Sequence, residues 1–279
     1  MPVTPPRPDM THDLPELITL RRTAIRLHPR RGAPSAQESS LGGPALLPVS
    51  LPWPACTAAH GYLDDNGDLI DRPDAEPMVL GLQLRRNDVP ELPFVGDEDL
   101  CQIFMCPLQH GEYREPRGEV RWAYAAAGPT VGRAYPGSVY ADPDWVPQPC
   151  TTSPEQVTEL PDFSSLPEPL KPAAVDWAEE RGFDYSSNLS TAPGTKVGGF
   201  PHWPDDDRTP SCRLGHPMDF IAALASWEYD RESIRTWKAD DEDPDAGRAS
   251  GMELGDAGRL YIFICTTCPD RPYDSVLVD

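Results

Sequence analysis

A β-rich α+β fold made of two pseudo-symmetric halves is predicted by three features of this sequence. These are its proline and glycine content, its short aromatic and β-branched runs bounded by turn residues, and an internal repeat. The 279 residues include 35 prolines and 21 glycines, which interrupt helices and favour short strands joined by long Pro/Gly-rich loops. At 30.8 kDa and 39% hydrophobic residues, the chain can bury a core as one large domain or as two intimate halves.

The repeat sets the expected organisation. Copy one opens on Ser40-Leu41-Gly42-Gly43-Pro44, runs through Leu51-Pro52-Trp53-Pro54 to Cys56 and His60, then Pro77-Met78, and closes on Leu100-Cys101-Gln102-Ile103-Phe104-Met105-Cys106. Copy two opens on Lys196-Val197-Gly198-Gly199-Phe200-Pro201, passes His202-Trp203-Pro204, Cys212, His216 and Pro217-Met218, and closes on Arg259-Leu260-Tyr261-Ile262-Phe263-Ile264-Cys265. The offset is 156 residues at the first glycine of each pair, at the first Cys and at the His, and 159 at the later Cys. Residues 40–150 and 196–279 are therefore expected to form the halves.

Residues 1–39 form an N-terminal segment in which Leu14–Leu27 predicts a short helix with Arg21, Arg22 and Arg26 on its polar side. Residues 29–39 have the composition of a flexible connector. Residues 151–195 are a Pro-rich connector with a helix expected near Ala173–Arg181. The closing segments predict strands. Asn66-Gly67 predicts a tight hairpin turn over Tyr62–Ile70, in preference to a calcium loop, because the downstream glutamate is missing.

Each half carries a Cys/His quartet. Cys56/His60 and Cys106/His110 form two C-x3-H pairs; Cys212/His216 repeats the first pair, and Cys265/Cys268 forms C-x2-C. Two short-range pairs from separate segments offer a zinc ion four borderline or soft ligands in a tetrahedron. Up to two structural zinc ions per chain are expected, each clipping a strand turn. Inert thiols are the competing reading. A redox pair at Cys265–Cys268 is disfavoured because Pro269 and Pro272 block the helix such motifs begin. Cys101 aligns with Leu260 and reads as core, and Cys150 as incidental. The Gly-Gly pairs lack a following Lys-Ser/Thr and read as backbone hinges, not phosphate cradles. Trp53 and Trp203 are expected to pack against strands.

A net charge of −21 and a pI near 4.5 oppose binding to nucleic acid and to membrane surfaces. A solvated acidic surface explains part of that charge, with Asp205–Asp207 and Asp240–Asp243 expected in exposed loops; a protein partner, with a basic client favoured by charge, is the functional expectation. The start Met1–Pro6 has no apolar signal, and no run of about 18 apolar residues occurs. A reducing, cytoplasmic setting is expected. No nucleophile elbow, H-E-x-x-H or P-loop motif is present, and nothing nominates a catalytic residue.

On Leu41-Gly42-Gly43-Pro44 with Leu47-Pro48 and Trp53-Pro54, Pro77-Met78 with Leu82-Gln83-Leu84, Val197–Pro201 and Gly255-Asp256-Ala257-Gly258, residues 40–279 resemble the YwqG-like family of bacterial proteins of unknown function. Copy two is also similar, more distantly, to the programmed-cell-death-two family through Lys196-Val197-Gly198-Gly199, Cys212, Pro217-Met218, and Leu260–Cys265 with Cys268. That resemblance implies binding and chaperoning of a ribosomal protein. Where those relatives carry C-x2-C before Pro-Met, this chain has His216 in place of a Cys, and Ala223 stands where copy one has Gln83. The leading expectation is a non-enzymatic, zinc-stabilised protein-binding module. The alternatives are a toxin-neutralising immunity protein, and an enzyme with a polar cleft between the halves near Gln83, Trp53 and His202.

Overall fold

The structure, a computed structural model, describes residues 3–64, 66–111, 114–239 and 244–279. The acidic run Asp240–Asp243, and Asp65 of the expected hairpin, lie outside the described residues. The N-terminal segment forms a 3-10 turn over Pro15–Leu20, then β1 (Arg22–Arg26) and β2 (Arg30–Arg31). Next come β3 (Ser40–Leu41), β4 (Ala45–Pro48), β5 (Ala55–Cys56), β6 (His60–Leu63), β7 (Leu69–Arg72), β8 (Glu76–Pro77), β9 (Val79–Arg85), β10 (Leu100–His110), β11 (Glu115–Ala123) and β12 (Thr130–Arg133). The following segment supplies β13 (Cys150–Thr151), β14 (Glu155–Glu159) and helix α1 (Leu170–Glu179). The last part holds β15 (Lys196–Gly198), β16 (Asp219–Ala225), the short helix α2 (Ile234–Trp237), β17 (Arg259–Ile264) and β18 (Tyr273–Val278).

The fold is β-rich, with antiparallel sheets. One has the order β14-β1-β15-β16-β17-β18; the larger has the order β2-β13-β3-β9-β10-β6-β7, with β11 also paired to β10. The expected α1 helix forms, as does the β6–β7 hairpin, in which Leu63 pairs with Leu69. Asp205–Asp207 are exposed.

The helix expected over Leu14–Leu27 is a correction. Helical geometry stops at Leu20, and β1 pairs with β14 on one side and β15 on the other. Arg26 is therefore buried, not solvated; it donates to Thr4 Oγ1 and to the Trp237 carbonyl. Long-range pairing overrides local apolar spacing here.

Alternation along the central strands divides each sheet into two faces. Cys101, Ile103 and Met105 of β10, and Leu260, Ile262 and Ile264 of β17, point into one shared cluster. Phe104, Cys106 and Leu108 point away into a separate cluster, and Tyr261, Phe263 and Cys265 into another. The inward faces of the two sheets thus bury a common core, and each sheet keeps its own apolar pad outside.

The ladders match in detail. In the first, Gln83 pairs with Gln102 and Leu82 with Ile103, then Gly81 is skipped and Leu80 pairs with Phe104. In the second, Ala223 pairs with Tyr261 and Ala222 with Ile262, then Ile221 is skipped and Phe220 pairs with Phe263. Both contain a bulge one step past the same pair. The incoming strands agree as well: Ser40 opposes Gln83, and Lys196 opposes Ala223. Gly42 and Gly43 after β3, and Gly198 and Gly199 at the end of β15, all have positive φ between 64° and 80°, the left-handed region that favours glycine.

Candidate metal centres

Both Cys/His quartets assemble. In each, the four ligand atoms lie within 4.8 Å of one another, so each group could hold a metal ion. An ion bonded tetrahedrally to thiolates at about 2.3 Å spaces them about 3.8 Å apart. The contacts match that edge: Cys212 Sγ–Cys268 Sγ is 3.9 Å, and His216 Nδ1 lies 3.6, 3.7 and 3.4 Å from the sulfurs of Cys212, Cys265 and Cys268. In the first group, Cys56 Sγ–His110 Nε2 and Cys106 Sγ–His60 Nδ1 are both 3.9 Å. All seven cysteines are free thiols.

The positions follow from local chain geometry. Cys212 and His216 close a turn in which Cys212 N donates to His216 O at 2.9 Å, with Gly215 at φ +80°. Cys265 leaves β17 into a loop held by Cys265 N to Pro272 O at 2.8 Å, which brings Cys268 back. In the first group, Cys56 ends β5 and His60 opens β6. The expectation that Cys106–His110 sits on a turn is corrected. β10 runs on to His110, and a register irregularity between Cys106 and His110 lets both reach the same group.

Hydrogen bonding prepares the ligands. His60 Nε2 lies 3.0 Å from the Asp74 carbonyl, which can only accept, so Nε2 carries the proton and Nδ1 is bare toward the cluster. No sequence signal marked Asp74, because its contribution comes from the main chain. The contact with Cys106 pulls the Cys56 thiol down to about 3, while the same contact and burial push Cys106 up. Burial raises Cys212, but the main-chain N–H groups of Leu214 and His216 and the neighbouring thiols bring it to about 7. Burial and the neighbouring thiols push Cys268 up to about 12. A metal ion would remove these opposed preferences by taking every sulfur as thiolate.

The remaining candidates lie outside the two quartets. Trp53 meets Phe104 edge-on at 6.0 Å, and Trp203 stacks on Phe263 at 6.2 Å. Cys101 is core, as read. Cys150 is fully buried in β13 within the shared core, so it has a packing role that its isolation in sequence hid. Gln83 is buried and fully used: its Oε1 accepts from Leu46 N and Gln102 Nε2, and its Nε2 donates to the carbonyls of Ala36 and Glu38. His202 belongs to a different network, with Nδ1 2.7 Å from the Asp162 carboxylate. The facing sides of the two sheets contribute to the shared apolar core.

Among the described residues, no helix is long and apolar enough to cross a membrane. No protein-family model matches the chain, and no curated protein matches it.

Proposed function

We propose that this protein is a duplicated, YwqG-like β-rich module in which two structural zinc ions clip the outer faces, and whose acidic surface takes a protein partner. The carrying observation is the equivalence of the two quartets. Each lies on the outward face of its sheet, at the end of a central strand whose register and bulge match those of the other. Retention of this pattern in both ladders supports descent from one duplicated unit. Zinc is the metal favoured by mixed thiolate and imidazole donors in a tetrahedron. Four protein ligands close the coordination shell, so the ions act as clips, not reaction centres.

The partner is inferred from charge. At −21, the chain attracts a basic protein surface and repels phosphate backbones. The motif resemblance to proteins that chaperone a ribosomal protein points the same way. Two measurements test the reading. Elemental analysis of protein purified without added metal should give two zinc ions per chain, falling to one in Cys265→Ser; less than half an ion per chain, unchanged in that variant, refutes the zinc reading. Affinity capture from the native lysate should return a stoichiometric basic protein released by salt, as screening of exposed charges requires. Recovery of no such protein counts against the binding role while leaving the metal reading intact.

A further inference from the structure

Away from both quartets, a cavity of about 740 Å³ opens where the β2 segment meets the loops around α2. Its volume falls within the range of about 300–1,000 Å³ typical of small-molecule sites. Four of the chain's 24 Lys and Arg residues line it: Arg30, Arg31, Lys238 and Arg248. Among the side chains described, no carboxylate lines it. In a protein of net charge −21, such a cationic concentration needs a local explanation.

Three details point to a ligand. The Arg30 Nε and Nη2 atoms are shielded from solvent and have no hydrogen-bond partner; an unpaired, desolvated guanidinium is costly unless an anion answers it. Arg31 is anchored by Nε–H donation to the Ala249 carbonyl at 3.1 Å, which ties β2 to the opposite wall. Arg248, which also pairs with Glu253, has its guanidinium carbon 4.1 Å from the centroid of the exposed Trp227 ring. Ile234, beside them in the lining, is 43% exposed. The cavity therefore combines a charged end with a flat, partly apolar wall on which a ring can stack.

We propose that this cavity binds a small organic anion carrying a phosphate or carboxylate beside a flat ring. The guanidinium groups of Arg30 and Arg31 and the Lys238 ammonium hold the anionic group, and the Trp227–Arg248 pair holds the ring.

The test titrates the full-length protein at low salt with AMP, phenyl phosphate, benzoate, adenosine and inorganic phosphate, followed by tryptophan fluorescence and by saturation-transfer NMR of the ligand. A variant with Asp240, Asp241, Asp243→Asn and Glu242→Gln is titrated alongside, because these carboxylates follow Lys238 closely in sequence. At least one ring-bearing anion should bind one of the two proteins, at least about tenfold more tightly than adenosine or inorganic phosphate. Arg30→Gln and Lys238→Gln should each weaken that binding at least about tenfold. Lys238→Gln serves as the deciding variant if Arg30→Gln lowers the thermal midpoint. No binding below about 1 mM by either protein overturns the proposal, as does binding that Lys238→Gln leaves unchanged.

Discussion

Gln83 shows how much one buried amide can organise. Four hydrogen bonds of 2.8–3.0 Å join it to the main chain at Ala36, Glu38 and Leu46 and to the Gln102 side chain. Gln83→Leu would orphan these groups and is expected to cost about 3 kcal/mol, read from urea unfolding. Asp162, buried beside His202, gives a pH-dependent counterpart. Burial raises its pKa, but hydrogen bonds from His202 and Ser164 outweigh this and hold it below its ordinary value. Its folded pKa lies below the unfolded value of about 3.9, so its contribution is full above that value and is lost as pH falls through the folded one. The stability difference between wild type and Asp162→Asn should therefore shrink as pH falls below about 4 in urea titrations. The metal ligands were legible at this scale because their chemistry is written in fixed local spacings. Asp74 and the cations of the large cavity were not, since one acts through a carbonyl and the others come from segments far apart in sequence.

At the scale of elements, the matched bulges are the most informative feature. In the first ladder the skipped residue is Gly81, and a Cβ there would lie 2.5 Å from Leu224 Cδ2 of the other sheet. In the second it is Ile221, which is buried in the same core. The glycine thus sets how closely the two sheets approach. Gly81→Val should destabilise by about 1–3 kcal/mol through overpacking, seen as a lower thermal midpoint with both metal sites still loaded. The closing strands could be read from their alternation. β1 could not, because Leu14, Leu17 and Leu20 carry helix-like spacing up to its start. Its strand state comes from partners in β14 and β15, whose residues lie more than a hundred positions away.

For the whole molecule, each large sheet draws strands from distant parts of the chain. The sheet containing β16 and β17 takes β1 from the N-terminal segment and β14 from the segment after the first half, while β13 joins the other sheet between β2 and β3. Charge within the molecule is also unevenly placed. The buried Lys196 Nζ lies 2.6 Å from Glu159 Oε1, inside a network that includes the Phe200 carbonyl. The matching position in the other ladder is the small Ser40, whose hydroxyl donates to the Gly42 carbonyl. The two ladders thus match in backbone register while the buried polar groups beside them differ. The sequence likeness of the two segments accordingly lies in glycine, tryptophan and ligand positions.

The placement of the quartets on opposite outer faces also bears on how such a protein would exchange metal with its surroundings. They share no strand and no side chain, and the apolar core lies between their sheets. With no ligand in common, each group would bind its ion through its own donors. The donor sets differ too: three sulfurs and one imidazole on one face, two of each on the other. A softer ion would therefore favour the three-sulfur group over the other.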